Sequence, residues 1–591
     1  MNATWSLDAL YKGYDDPAFH HDMDTLKAVV KKINDLSGQL HHDRRAECVT
    51  AMLKQQETLY ELSGRLGSYI SLRQSCDTTN TQTVALMGQL QQTLSECAKS
   101  FARFDTFIQG INDLDTLIAQ NPFLSEYAYL LRETKQDGKY RLSDDVEEVI
   151  AKLNISAGDA WANLQEYLTS TLAVPYQDQT LTLSEVRSLA YDQDPSVRKA
   201  AYDAELKAYE PIRQSVAFAL NNIKSQVNTI SDLRGFASPL DMTLYYSRME
   251  RKTLDAMMEA IQAYLPVFHH YLKRKAEILG HHNGLPWYDL FAPICDVDHS
   301  DKKYTPMEAK QYLIDHFAAF SQDLCTMIET AFHDDWIDFY PRKGKVGGAF
   351  CANLPFIKQS RILTNFNGQL DDIITLAHEL GHAYHGMMIE NHRPLNTDYS
   401  MPVAETASTF NENIIMNAAI AEESNTRKKL VLIEKQLQDL TQIICDIYSR
   451  YHFECEVFER RRTTFLFAED LCNIMLQTQK EAYGDALDFH YLHPYMWINK
   501  SHYYSASLSF YNFPYAFGGL FARGLIVQYQ KQGSSFVDQY RLLLKATTIA
   551  HVEDIAKKVG IDIGDPSFWR ESLETCKNRI DEFMTLSQSL S

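Results

Sequence analysis

The chain has 591 residues, 45% hydrophobic and 12% aromatic, so it can bury one very large core or several ordinary ones, and two or more lobes are expected. Its 57 Lys and Arg stand against 77 Asp and Glu; the formal net charge of −20 argues against nucleic acid and anionic membrane surfaces as partners. Ten cysteines scattered without a CxxC pair read as reduced thiols, and neither a signal-like apolar segment nor a run of about 18 apolar residues is found, so a soluble, cytoplasmic protein is expected.

Helical periodicity dominates the first third. In DMDTLKAVVKKINDLSGQL, residues 22–40, the positions Leu26, Val29, Val30, Ile33 and Leu36 share one stripe; Asp22 or Asp24 is expected to cap the start and Gly38 to stop the helix. A longer stripe runs through Val84, Met87, Leu90, Leu94, Cys97 and Phe101, and this region reads as a packing scaffold. Around Pro175 the segment AVPYQDQTLTLSEVRSL holds two short β-prone runs, after which Asp194 and Pro195 open another helix. The domain boundary is expected near residue 185, between a helical N-terminal domain, 1–185, and a second domain, 186–591. The strand-rich region follows at residues 340–372: Gly347 and Gly348 precede a run from Ala349 to Ala352, RILTNF alternates in β fashion, and Asn367-Gly368 turns the chain. The fold class is therefore mainly α, with a small β-sheet directly before the stretch TLAHELGHAYHGMMIE.

On a helix that stretch puts His378 and His382 one turn apart on one face, the HExxH arrangement, with Glu379 beside the first imidazole. Two neutral imidazoles suit zinc, and Glu379 is placed to act as general base towards water there. Gly381, a helix-weakening residue in mid-helix, costs about 1 kcal/mol and marks a place where something approaches closely. A third metal ligand is needed, and Glu405 in DYSMPVAETASTFNENII is the candidate: Ser400 caps, Pro402 sits in the first turn, and Glu405 is expected one turn into a new helix among small neighbours. Glu390 competes, but on a continuous helix it lies about 12 Å along the axis from His382, too far to share one ion. Glu412 is expected to hydrogen-bond a metal-binding histidine; His385 is expected either to orient a neighbouring group or simply to pack. A third cluster, HYYSASLSFYNFPYAFGG, supplies His502 with Tyr503, Tyr504, Tyr511 and Tyr515, groups able to stabilise the oxyanion formed when water attacks an amide, or to form an aromatic core stripe.

In order, TLAHELGHAYHG, AETASTFNENII and HYYSASLSFYNFPYAFGG resemble the oligoendopeptidase F branch of the thimet-oligopeptidase family of zinc metallopeptidases. The stretches VRKAAYDAELKAYEPIRQSVAFALNNIKSQVNTISDLRGFASPLD, LPWYDLFAP and GGAFC extend the resemblance over most of residues 185–525. It implies a two-lobed helical fold enclosing a deep channel, one Zn²⁺ per chain on His378, His382 and Glu405, Glu379 as general base, and oxyanion stabilisation by His502 with a tyrosine. Tyr511 and Tyr515 are the leading tyrosines and Tyr504 a further candidate, because this chain reads FYNFPYAFG where relatives often carry more tyrosines. The implied activity is endopeptidase cleavage of short unstructured oligopeptides. A carboxypeptidase or dipeptidyl carboxypeptidase on the same scaffold and a non-catalytic peptide-binding protein are the alternatives.

Overall fold

The structure, a computed structural model, describes residues 2–295 and 302–590. The chain folds into two compact units, each assembled from three stretches of sequence: Met1–Lys139, Ser300–Ala418 and Gln528–Val559 in the first, Tyr140–His299, Ala419–Val527 and Gly560–Ser591 in the second. Helices make up most of both, as the periodicity implied.

The first helix, α1 (Pro17–Ser37), ends at Gly38 as expected. It begins earlier than Asp22, because Asp16 accepts a hydrogen bond from Ala18 N and Pro17 supplies the preset φ of a first turn. After α2 (Arg45–Cys76), the stripe from Val84 to Phe101 divides into α3 (Thr81–Ser95) and α4 (Ala98–Gln109). The β-prone runs around Pro175 form a hairpin, β1 (Ala173–Tyr176) antiparallel to β2 (Gln179–Thr182), and Asp194 caps α5 (Pro195–Tyr209).

The sheet that matters for the site belongs to the first unit. β3 (Ile337–Asp338), β4 (Phe350–Leu354) and β5 (Gln359–Leu363) are ordered β3-β5-β4, with β4 antiparallel to β5 in the register Cys351 to Ile362 and Asn353 to Ser360. One edge of β4 thus has no strand partner among the described residues. Leu354 and Leu363 enter the same apolar core as Phe19, Leu26 and Val30 of α1 and Leu66 and Ile70 of α2, so the N-terminal helices brace the sheet. Asp338 is fully buried and fixes the loop beyond β3: it takes a bidentate pair from Arg342 at 2.6 and 2.9 Å and an ion pair from Lys345 at 2.6 Å.

From β5 the chain turns through Gly368, at φ +87°, a conformation that favours glycine, and enters α6 (Leu370–Ile389). Asp372 starts this helix by accepting from Gln369 N at 2.8 Å and Asn367 N at 2.9 Å, and Asp371 and Asp372 put negative charge at its positive end. Two further helices, α7 (Met401–Ala404) and α8 (Thr406–Glu422), follow, and α9 (Phe513–Gln532) carries the late tyrosine-rich segment.

Candidate metal centre

Helix α6 aims His378 and His382 to one side, their rings 5.0 Å apart between centroids. Glu405 meets both: its Oε2 lies 3.2 Å from His378 Nε2 and 3.4 Å from His382 Nε2. It is not one turn inside a helix, as the sequence suggested. It occupies the joint between α7 and α8 at φ −91°, ψ 6°, and Ser400 makes no side-chain cap. The joint is compatible with a tight crossing: a Cβ placed on Gly381 would come within 2.5 Å of Ala407 O and Ser408 Cα, so only glycine lets the start of α8 lie this close to α6.

Two bonds of about 2.05 Å at a tetrahedral angle hold their donor atoms about 3.3 Å apart. The two imidazole-to-carboxylate separations straddle that value. Among the described residues, His378, His382 and Glu405 are the group of three whose ligand atoms lie within 4.8 Å of one another. Two imidazoles and one carboxylate leave a fourth position open, the donor set of a catalytic rather than a structural zinc.

Surrounding groups orient this set. Glu412 Oε2 lies 3.1 Å from His378 Nδ1, so that ring can donate outwards while Nε2 faces inwards. Ser408 Oγ donates to Glu405 Oε2 at 2.7 Å, and Asn353 Nδ2 on β4 donates to the carbonyl of His382 at 3.1 Å. Sequence reading missed both residues; Ser408 could have been found from its i+3 spacing to Glu405, whereas Asn353 carries no local signal. Burial favours the neutral ring of His378, but hydrogen bonds to Glu405 and Glu412 outweigh it and raise its pKa to about 10. Burial would likewise raise Glu405, yet the two imidazoles and Ser408 hold its carboxylate far below the usual range. A dication between the three groups would serve in place of those protons. Glu379 is buried and, mainly through burial, pushed above the ordinary glutamate value against the pull of both histidines.

His385 does not join the cluster. Its ring, fully buried, stacks on Tyr399 at 4.2 Å between centroids and 7° between planes, with Nε2 2.8 Å from Thr547 Oγ1. Glu390 also lies outside the set of three.

In the second unit His502 groups with Tyr511 and Tyr515, at centroid distances of 4.8 and 5.7 Å, and the two tyrosines are 5.8 Å apart. His502 Nδ1 sits 3.3 Å from Asn512 Oδ1, and burial, with Arg450 nearby, lowers its pKa. Tyr504 differs: its buried hydroxyl donates to the carbonyl of Trp497 at 2.9 Å, and it takes no part in the His502, Tyr511 and Tyr515 ring group.

Residues 188–575 match the family model of peptidase family M3, and residues 110–173 match that of oligopeptidase F. The chain belongs to peptidase family M3. It is accordingly an enzyme that hydrolyses peptides, as the M3 metallopeptidases do. It is 23% identical over 593 residues to oligopeptidase PepF of Bacillus subtilis, covering 99% of this chain and 87% of that protein. Two crystal structures share the fold. One, from Chlamydophila abortus, superimposes with a TM-score of 0.86 at 20% identity over 99% of this chain and 98% of the other. The other, oligoendopeptidase-F from Enterococcus faecium, gives 0.72 at 20% identity over 97% and 99%. This M3 chain thus carries the mainly helical fold of those structures, with the small sheet packed beside α6.

Proposed function

We propose that the chain is a zinc-dependent endopeptidase that cuts internal bonds of short, unstructured oligopeptides in the cytoplasm, with one Zn²⁺ held by His378, His382 and Glu405. The observation that carries this reading is the pair of tetrahedral separations, 3.2 and 3.4 Å, from Glu405 to two imidazoles flanking a buried carboxylate. When bound there, zinc would act as a Lewis acid on the scissile carbonyl and acidify nearby water.

The protein's own residues supply the remaining steps. Glu379, with its raised proton affinity, takes the proton of the attacking water and returns it to the leaving amine. Glu412 holds His378 in the tautomer whose Nε2 has a free lone pair. The unpartnered edge of β4 offers main-chain donors and acceptors to an extended peptide, a mode of binding tolerant of side chains. His502 with Tyr511 or Tyr515 stabilises the oxyanion. No disulfide joins any of the ten cysteines, and no described helix is long and apolar enough to cross a membrane.

An internally quenched peptide blocked at both termini tests the proposal. Cleavage between internal residues, abolished by chelation and restored by zinc, is expected. A requirement for a free C-terminus would favour the exopeptidase alternative instead, and peptide binding without any cleavage would leave only a binding protein.

A further inference from the structure

Within the second unit His502 is tied to a chain of three contacts. Its Nδ1 lies 3.3 Å from Asn512 Oδ1, and the same oxygen accepts from Arg450 Nη1 at 3.2 Å. Arg450 is in turn fixed by an ion pair with Asp446, one helical turn before it. Asn512 is buried, directly before α9, so its carboxamide has no access to water as an alternative partner. The backbone that carries it is also held. Phe510, at φ +55°, a conformation that residues other than glycine seldom adopt, donates its N–H to Glu454 Oε1 at 3.0 Å, and the same oxygen accepts from Lys224 Nζ at 2.6 Å. Arg450 and Glu454 stand one turn apart on the helix Ile447–Arg461, so one face of that helix sets both the backbone at Phe510 and the side chain of Asn512.

These contacts decide where the proton of His502 sits. A guanidinium has donors only, so Arg450 requires the oxygen of the Asn512 carboxamide on its side; the reversed amide would set donor against donor. Keeping it there leaves Asn512 Nδ2 buried without an acceptor, a smaller loss than an unmet charged donor. An amide oxygen only accepts, so His502 Nδ1 carries the hydrogen. In the uncharged ring Nε2 is then a bare lone pair. Nε2 has no hydrogen-bond partner among the described residues, and the ring is half-buried beside Tyr511 and Tyr515. Besides these tyrosines, Arg450 and Lys500 are the charged groups acting on it. Burial first, then Arg450 and more weakly Lys500, lower the pKa of His502 against the bond to Asn512, which favours the uncharged ring at neutral pH.

We propose that Asn512, oriented by Arg450, is a positioning residue that locks uncharged His502 in its Nδ1–H form, so that Nε2 accepts a main-chain N–H of the substrate peptide. The assignment rests on the peptidase reading and divides the work inside the ring group. An oxyanion needs donors, and His502 can serve it only as the imidazolium; uncharged, it leaves that task to a tyrosine hydroxyl. An extended peptide presents an N–H at every residue except proline, which is the donor a bare Nε2 can take.

The tautomer is read directly from long-range proton–nitrogen correlation spectra of full-length protein labelled at its histidine nitrogens, with the His502 signals assigned by their loss in His502→Gln. Near neutral pH, Nδ1 should be protonated and Nε2 bare; the opposite tautomer, or a mixture of the two, overturns the proposal. Its consequence is read from Asn512→Asp, whose carboxylate still accepts from Nδ1 but favours the imidazolium and so turns Nε2 into a donor until the pH rises through the new pKa. For a doubly blocked peptide, kcat/KM should fall by about tenfold or more near neutral pH and recover at higher pH, with the acidic limb moved up by about one unit or more. Asn512→Leu frees both tautomers and should lose kcat/KM at every pH without recovery. An Asn512→Asp protein more active than the wild type near neutral pH would show His502 working as a donor and overturn the proposal, as would an unchanged profile. If either variant fails to fold, the wild-type spectrum still decides the tautomer. A wild type with the Nδ1–H form that cleaves no peptide would overturn the peptidase reading and the substrate contact with it, while the lock by Asn512 would stand.

Discussion

Replacing Gly381 with alanine separates the effect of the helix crossing on metal binding from its effect on stability. The new Cβ would sit 2.5 Å from Ala407 O and Ser408 Cα and 2.8 Å from Ala407 C, all backbone atoms that cannot rotate away. Restoring ordinary contact requires α6 and the start of α8 to part by about 1 Å. Alanine gains about 1 kcal/mol of helix propensity over glycine, and overpacking costs about 1–3 kcal/mol, so the net loss of stability is about 0–2 kcal/mol. The proposed metal centre would tolerate far less, because ligand distances must hold to about 0.2 Å and Glu405 is anchored immediately before α8. Zinc affinity should therefore fall by well over the roughly 10–100-fold typical of a lost supporting hydrogen bond, while the apo protein unfolds within a few degrees of the wild type. Competition with a chromophoric chelator gives the first quantity and thermal unfolding after metal removal gives the second. An alanine variant that binds zinc as tightly as the wild type would refute the claim that this close crossing sets the position of Glu405.

Other perturbations test neighbouring parts of the account. Glu412→Ala removes the hydrogen bond to His378 Nδ1 and should weaken zinc binding by about 10–100-fold in the same competition assay, with the protein still folded. Of Tyr511→Phe and Tyr515→Phe, the one that removes the oxyanion donor should lower kcat by about 10²–10³-fold and leave zinc content unchanged. Asp338→Asn leaves the ammonium of Lys345 and the guanidinium of Arg342 facing an amide in a buried place and should cost about 3–5 kcal/mol in urea unfolding at pH 7. Although burial alone would raise the pKa of Asp338, its cationic partners hold it below the ordinary value. Its contribution is therefore fully present above the unfolded-state pKa and lost as pH falls through the folded one. The gap between wild type and variant should narrow only below about pH 4, and a gap independent of pH down to acid unfolding would contradict the ion-pair account.

Much of this architecture could be read along the chain. The stop at Gly38, the cap at Asp194, the hairpin around Pro175 and the sheet before α6 depend on local turn and capping chemistry, which sequence records directly. The start of α1 was misplaced because Asp16-Pro17 is the stronger signal and lies six residues before the Asp22 chosen from the apolar stripe. The three grouped donors were legible through the i, i+4 spacing of His378 and His382 and the small residues around Glu405. The helix break at Glu405 was not, since it arises where α8 crosses Gly381, a relation between segments more than 20 residues apart. For the same reason Asn353 and Tyr399 left no mark in any local pattern, and neither did the assembly of each compact unit from three separate stretches.

The central claim is that peptide hydrolysis runs on zinc at His378, His382 and Glu405 with Glu379 moving the proton. Its most direct test is Glu379→Gln, measured for zinc content and for turnover of a doubly blocked peptide on the same preparation. The account requires one zinc per chain retained and turnover reduced by several orders of magnitude. Zinc retained together with wild-type turnover would contradict it.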